Sequence, residues 1–358
     1  LFVVGDPDQS IYEWRGAKPD IFVAFRSDRD VVLDENYRST PGILDVANSI
    51  IVNNRNRIDK TMFTRSGAGE SIIHYHAPTE AQEAQWVCTE IMKRMEKGAE
   101  YSDFAILFRA AHLSRTVEQA FIRAGIPYVM WGGVRFFERM EVKDCISYLR
   151  LVASDDDLAF ERVVNTPSRK VGKVTLELIS AYASQEGTSL YSALKNHLDD
   201  PKLDRPALHG FVELVEECRR SVFSRSVCGM LEYILEKTGL KMDYRDDNDE
   251  QRLENITELV NSIRIYEQEH VEWNGAPLYD YLQDIALYTN ADYRKESNKV
   301  KLMTVHQSKG LEFPYVFIVG LSDGIFPNAR SIRERKKSAL EEERRLMYVA
   351  ATRAQKCL

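Results

Sequence analysis

Short apolar runs and helical periodicities alternate through the first third of the chain. Residues 1–4, 31–33, 72–75, 104–108 and 126–130 are brief apolar stretches bounded by polar or turn residues, the signature of buried strands. Helices are predicted between them. Thr79 with Gln82 forms a capping-box pattern ahead of Val87, Ile91 and Met95 at four-residue spacing, and residues 114–124 form a second helical stretch closed by Gly125. From about residue 140 to residue 295 the pattern becomes mostly helical and charged, broken by loops near Pro167, 201–206, 243–250 and 274–277. Strand character returns at 300–305 and 315–319, and Ser338 with Glu341 predicts the start of a last helix running through Tyr348. The expected fold class is α/β: a parallel sheet covered on both faces and interrupted by a mostly helical insertion.

Composition narrows the class. With 358 residues and 44% hydrophobic content, the chain can bury one large core or two ordinary ones. It contains no apolar run long enough to span a membrane and no signal-like start, so a cytoplasmic protein without membrane contact is expected. Five scattered cysteines without a CxxC pair predict reduced, buried thiols and no metal site. A net charge of −7 argues against a surface coated for nucleic acid, so any such contact must be local. The first residue is not Met, and residues 1–4 have the character of a strand interior, so the sequence is expected to begin inside a longer domain.

Four polar segments carry the candidate chemistry. Residues 5–16, GDPDQSIYEWRG, follow a predicted strand at the end where open α/β sheets bind ligands. There Gln9 can sense a phosphate or water through its amide, Tyr12 and Trp14 offer flat faces to bases, and Arg15 can meet a phosphate with paired hydrogen bonds. A turn with core aromatics is the plainer alternative. Residues 35–40, ENYRST, lead into a helix beginning near Pro41, for which Ser39 or Thr40 would be the cap and Arg38 simply exposed. Residues 300–321 set a His-x-x-Lys-Gly-x-Glu loop between two buried strands; taken singly, His306 reads as structural and Lys309 as solvated. Residues 341–354, EEERRLMYVAATRA, open with a charge run whose simplest reading is a solvated helix face.

In this order the four segments resemble motifs III, IV, V and VI of superfamily 1A DNA helicases of the UvrD/PcrA/Rep kind, over nearly the whole chain. The resemblance implies a RecA-like second motor domain of the P-loop NTPase fold at 31–131 and 297–358, a remnant of the first motor domain at 1–30, and a helical insertion domain at 132–296. It makes Gln9, Arg15, Arg38 and Arg353 the candidate catalytic residues: Gln9 near the γ-phosphate, Arg15 directed toward the nucleotide, Arg38 on the γ-phosphate, and Arg353 pointing at it from across a cleft. Tyr37 would stack on adenine, Glu312 would bond the nucleotide sugar, and Gly310 would allow close backbone approach. Tyr12, Trp14, Thr304 and His306 would meet single-stranded DNA. Arg109 is a further expected DNA contact, although Ala111 stands where many relatives carry Asn. Residues 165–175, NTPSRKVGKVT, resemble a helix-hairpin-helix-like turn, with Lys170 and Gly172 toward duplex phosphates and Lys170 in place of the first Gly of the relatives' Gly-Ile-Gly; a plain interhelix turn is the alternative. The acidic residues at 341–345 are expected in surface and interdomain ion pairs.

No GxxxxGK[ST] loop occurs; Gly172-Lys173 is followed by Val174 and has Pro167 at the place of the first Gly. Nor does a strand end in the Asp-Glu-x-x-Asp pattern that holds Mg²⁺ in this family. The implied cofactor, ATP with Mg²⁺, therefore requires a phosphate loop and metal ligands from an upstream domain. The expectation is a fragment, inactive alone, of a helicase that moves 3′ to 5′ on single-stranded DNA and acts at single-strand/duplex junctions, beside repair or replication proteins. A RecB/AddA-like helicase–nuclease and a stand-alone, non-enzymatic DNA-binding module are the alternatives.

Overall fold

The computed structural model describes residues 2–246, 250–270, 277–289, 298–333 and 337–358. The chain divides into two units, Leu1–Arg135 with Asp292–Leu358, and Phe136–Ala291. In the first, β1 (Phe104–Phe108), β2 (Tyr128–Met130), β3 (Val300–Thr304), β4 (Phe313–Ile318) and β5 (Ala354–Cys357) form an all-parallel sheet in the order β2-β3-β1-β4-β5. Four helices pack on it: α1 (Pro41–Ile51), α2 (Glu80–Met95), α3 (Ser114–Ala124) and α4 (Lys337–Ala351). Central β1, FAILF, is buried at every position because both faces of the sheet are covered. Side chains alternate across a strand, so Ala105 and Leu107 join the core under α1 and α4, while Phe104, Ile106 and Phe108 join the one under α2 and α3. Thr79 caps α2 by accepting the Gln82 N–H at 3.2 Å, and Gly125 closes α3 at φ +68°.

Several expected elements do not form. Residues 2–4 are irregular and exposed, Phe2 at 90%, and so are residues 31–33; residues 72–75 run outside the sheet with a backbone bond from Ile73 N–H to the Leu358 carbonyl. An apolar run becomes a strand only beside an edge that completes its ladder. Among the described residues no ladder partner meets 2–4 or 31–33. Ser338 is not a cap, since α4 already includes Lys337. Thr40 stands at the N-cap of α1 without making a capping bond; its hydroxyl is buried without a partner while Pro41 fills the first turn. The charge run is not a solvated face either: Glu341, Glu343 and Arg345 are all buried.

The second unit is built of helices joined by loops, with no strand among its described residues. Its central helix, Met140–Ala153, packs against Asp157–Val163, Pro206–Arg220, Val227–Thr238, Glu250–Glu269 and Pro277–Thr289, which explains why both apolar and polar positions along it are buried. Of the loop expected at 243–250, residues 243–246 and 250 are instead helical and the rest lie outside the described residues; of that expected at 274–277, Pro277 begins a helix and the rest lie outside, as does the boundary expected at 296–297.

Candidate functional site

All amino ends of a parallel sheet lie along one edge and all carboxyl ends along the other, and the candidate residues of the first unit sort by edge. At the amino edge, Glu312 directly precedes β4 and Arg353 directly precedes β5, which pair at Phe313 and Ala354. Arg38 arrives from the loop before α1. Asn36 Oδ1 accepts the N–H groups of Arg38 (2.9 Å) and Ser39 (2.8 Å), and Ser39 Oγ donates to the Ala354 carbonyl (2.7 Å), so the loop is pinned to the start of β5. Arg38 then donates Nε to Glu312 Oε2 (2.5 Å) and Nη1 to the Thr352 carbonyl (3.1 Å), while Gln355 Nε2 donates to Glu312 Oε1 (3.0 Å). Tyr37 is 82% exposed beside them. Gly310, at φ +86° with open space where a Cβ would project, is required by conformation rather than crowding.

Arg353 is buried, and its hydrogen-bond acceptors are neutral: the Val349 carbonyl (2.9 Å), the Leu311 carbonyl (3.0 Å) and Thr352 Oγ1 (3.1 Å). Burial, and then the Arg38 charge, push it down to about 10, so it stays protonated at neutral pH. The Arg38 hydrogen bond holds the Glu312 carboxyl below the usual range. Two guanidiniums facing one carboxylate leave a surplus positive charge, a chemistry that fits a phosphate.

At the carboxyl edge, Arg109 follows β1 and Thr304 ends β3, paired with Phe108. The Val305 N–H donates to the Phe108 carbonyl at 3.0 Å, bringing His306 close to Arg109. Thr304 Oγ1 donates to Gln307 Oε1 (3.0 Å). Tyr12 Oη donates to the His306 carbonyl (3.1 Å), their rings are 5.8 Å apart, and Arg15 and Lys309 stand 5.8 and 5.3 Å from the Tyr12 ring. Arg15 thus groups with Tyr12 and His306. Arg109 binds Glu343 through Nε, at 3.1 and 3.0 Å to its two oxygens, and through Nη2, at 2.8 Å to Oε1. Burial, and then Arg109, push His306 down to about 4, so its ring is neutral near pH 7. The Trp14 side chain lies outside the described residues, though its backbone belongs to the 3-10 turn Glu13–Arg15.

Residues 305–312 connect the two edges. Midway, Lys309 Nζ donates to the Gln9 carbonyl (2.8 Å), and Gln9 Nε2 donates to Asp6 Oδ2 (2.8 Å). Asn36, Gln355 and Glu343 are structural participants that sequence reasoning did not select, and Lys309, solvated when taken singly, is bound to Gln9. For Glu343 a signal exists: it precedes Leu346 by three positions and Ala350 by seven, which puts it on the apolar face of α4. In the second unit, Lys170 adopts φ +59° and Gly172 is the N-cap of Lys173–Glu186. Their loop is held by Asn165 Oδ1, which accepts from Arg169 N–H and Val171 N–H, and by Arg169 Nη1, directed at the carbonyls of Val163, Val164, Thr166 and Pro167.

Residues 31–358 match the UvrD-like helicase C-terminal domain, and residues 1–30 match the UvrD/REP helicase N-terminal domain. The chain belongs to the UvrD-like helicases. It is 38% identical over 373 residues to the ATP-dependent DNA helicase PcrA of Staphylococcus epidermidis, and 39% identical over 370 residues to that of Staphylococcus aureus. Each match covers 100% of this chain and 50% of the relative, so the chain spans about half the length of the curated relatives it matches. In this UvrD-like helicase chain, Lys170 holds a left-handed backbone that glycine enters at no steric cost, although it carries a side chain.

Proposed function

We propose that the whole protein is an ATP-dependent DNA helicase to which this chain contributes the arginine half of a nucleotide cleft, along the amino edge, and a face for single-stranded DNA, along the carboxyl edge. The reading rests chiefly on Arg353, a buried cation with neutral hydrogen-bond partners, set close enough to Arg38 for the two charges to repel. A polyphosphate relieves that repulsion, and preorganised arginines stabilise the charge that develops during phosphoryl transfer.

ATP, when bound, supplies the phosphoanhydride whose cleavage drives movement. The chain's own residues bind and orient it. Tyr37 offers an exposed ring to the base, Glu312 offers a carboxylate oriented by Arg38 and Gln355 to the sugar hydroxyls, and Arg38 and Arg353 meet the terminal phosphate, with Gly310 on the connecting segment and Gln9 bound to that segment through Lys309. No cluster of three or more metal-type side chains occurs among the described residues, and the Mg²⁺ expectation is carried by family membership alone. On the other edge, the neutral rings of Tyr12 and His306, with Trp14, suit bases, while Arg15, Arg109 and Thr304 suit the backbone. Lys170 and Gly172 are the candidates for duplex phosphates. Movement from 3′ to 5′, work at junctions in repair or replication, and a cytoplasmic setting complete the reading; no described helix is long and apolar enough to cross a membrane.

The test is ATP turnover and unwinding by the whole protein that contains these residues. Arg353→Ala is expected to lower DNA-stimulated turnover by roughly 10³-fold or more while single-strand affinity stays within about twofold. Turnover at the wild-type rate in that variant would sink the reading.

A further inference from the structure

Glu343 lies on the apolar face of α4 at 3% exposure. Besides the three contacts from Arg109, its carboxylate accepts the Asn328 N–H (3.3 Å) and Ser331 Oγ (3.3 Å). A carboxylate enclosed this way is a fixed anchor. A guanidinium has two edges that present paired donors, a side edge of Nε with Nη2 and an end edge of Nη1 with Nη2. Glu343 takes the side edge, and the Arg109 side chain remains 22% exposed.

We propose that Glu343 is a positioning residue for DNA: by holding the side edge of Arg109, it sets the end edge as a bidentate receptor for one backbone phosphate of a strand lying over His306 and Tyr12. This rests on the DNA-face reading above. An unpaired arginine at a strand end samples many rotamers, and the pairing removes that entropy before the strand arrives. Arg109 then supplies directional charge-assisted hydrogen bonds from its end edge, while Arg15 and Lys309 beside Tyr12 add further positive charge. Glu343 also lies on the helix that ends just before Arg353, with the eight steps from Glu343 to Ala351 spanning roughly 12 Å of helix axis. Any displacement of α4 at the nucleotide edge therefore moves the anchor of Arg109 at the DNA edge.

The test is fluorescence anisotropy of labelled oligo-dT with the 358-residue chain across a potassium chloride series. Glu343→Gln is expected to weaken binding roughly fivefold and to flatten the log–log salt slope by about 0.7, the loss of one phosphate contact on a single strand. Arg109→Lys, a point charge that cannot serve both edges, is expected to do the same. In an Arg109→Ala background, Glu343→Gln should change affinity less than about twofold, because nothing is left to position. An unchanged salt slope in Glu343→Gln, or an equal loss with and without Arg109, would reduce Glu343 to a structural residue and overturn the proposal. Should Glu343→Gln fail to fold by circular dichroism, Arg109→Lys decides: wild-type affinity and slope in that variant overturn the proposal as well. If the wild-type chain does not bind oligo-dT, the DNA-face reading itself fails and the positioning role falls with it.

Discussion

His306 carries a pH signature that a surface histidine would lack. Burial and Arg109 depress its folded-state pKa to about 4, below the ordinary histidine value. The unfolded chain therefore binds the proton first as pH falls, and the stability associated with the neutral ring, present above about pH 6.5, drains away as pH drops toward 4. The depression corresponds to at most about 3 kcal/mol. Thermal melts of wild type and His306→Gln between pH 7.5 and 4.5 should show the wild-type advantage shrinking steadily toward acid. A gap between the two that stays constant over that range would mean the ring is not shielded. The same neutrality bears on the proposed DNA face: in that reading His306 would meet a nucleic acid near pH 7 as a polar ring beside Tyr12, with the cationic contacts supplied by its neighbours.

The helix α4 shows how charge can be core. Arg345 is 2% exposed, donates Nε to the Ser10 carbonyl at 2.8 Å and pairs through Nη2 with Glu13, whose backbone N–H in turn bonds Glu342. These contacts tie residues 10–13 to the sheet unit. Arg345→Met is expected to cost about 3 kcal/mol in urea denaturation, the lower end for a broken buried pair because Glu13 keeps 25% side-chain exposure. Adding Glu13→Gln should recover part of that loss by removing the stranded charge; a single variant as stable as wild type would show that the pair holds nothing. The legibility of the elements follows similar lines. β1, β3, α2 and α3 are readable because their apolar period matches their burial and their caps are local: Thr79 and Gly125 act within a few residues. Residues 2–4 and 31–33 mislead because apolarity signals burial without naming a partner edge, and β5, AQKC, has no apolar run to announce it. At the site, Arg38 and Glu312 are legible as types through their motifs. Their ion pair is not, since 274 positions separate them and only the parallel pairing of β4 with β5 brings the loop before α1 to the same edge. Glu343 was hidden by the assumption that a dense run of charges faces water.

At the scale of the molecule, the two candidate ligand groups occupy opposite edges of one sheet, joined by residues 305–312 and by α4. Under the proposed function, the residues offered to DNA and those offered to the nucleotide are therefore separable by substitution. The net charge of −7 argues against diffuse attraction to a polyanion, so in the proposed reading affinity comes from the few cations gathered around Tyr12. Three or four phosphate contacts on a single strand give a log–log salt slope of about −2 to −3. In the proposed reading the amino edge contributes arginines and, in Glu312, a carboxylate for the sugar, but no GxxxxGK[ST] loop exists in the sequence to cradle the β-phosphate. The 358-residue chain should thus bind oligo-dT with that shallow slope and release no phosphate from ATP above background, with or without the oligonucleotide. Oligo-dT-stimulated phosphate release would mean that a complete catalytic centre resides within these residues. A slope much steeper than −3 would instead require a larger cationic surface than the carboxyl edge provides, and would move the search for the DNA path to the basic loop around Lys170 and Lys173.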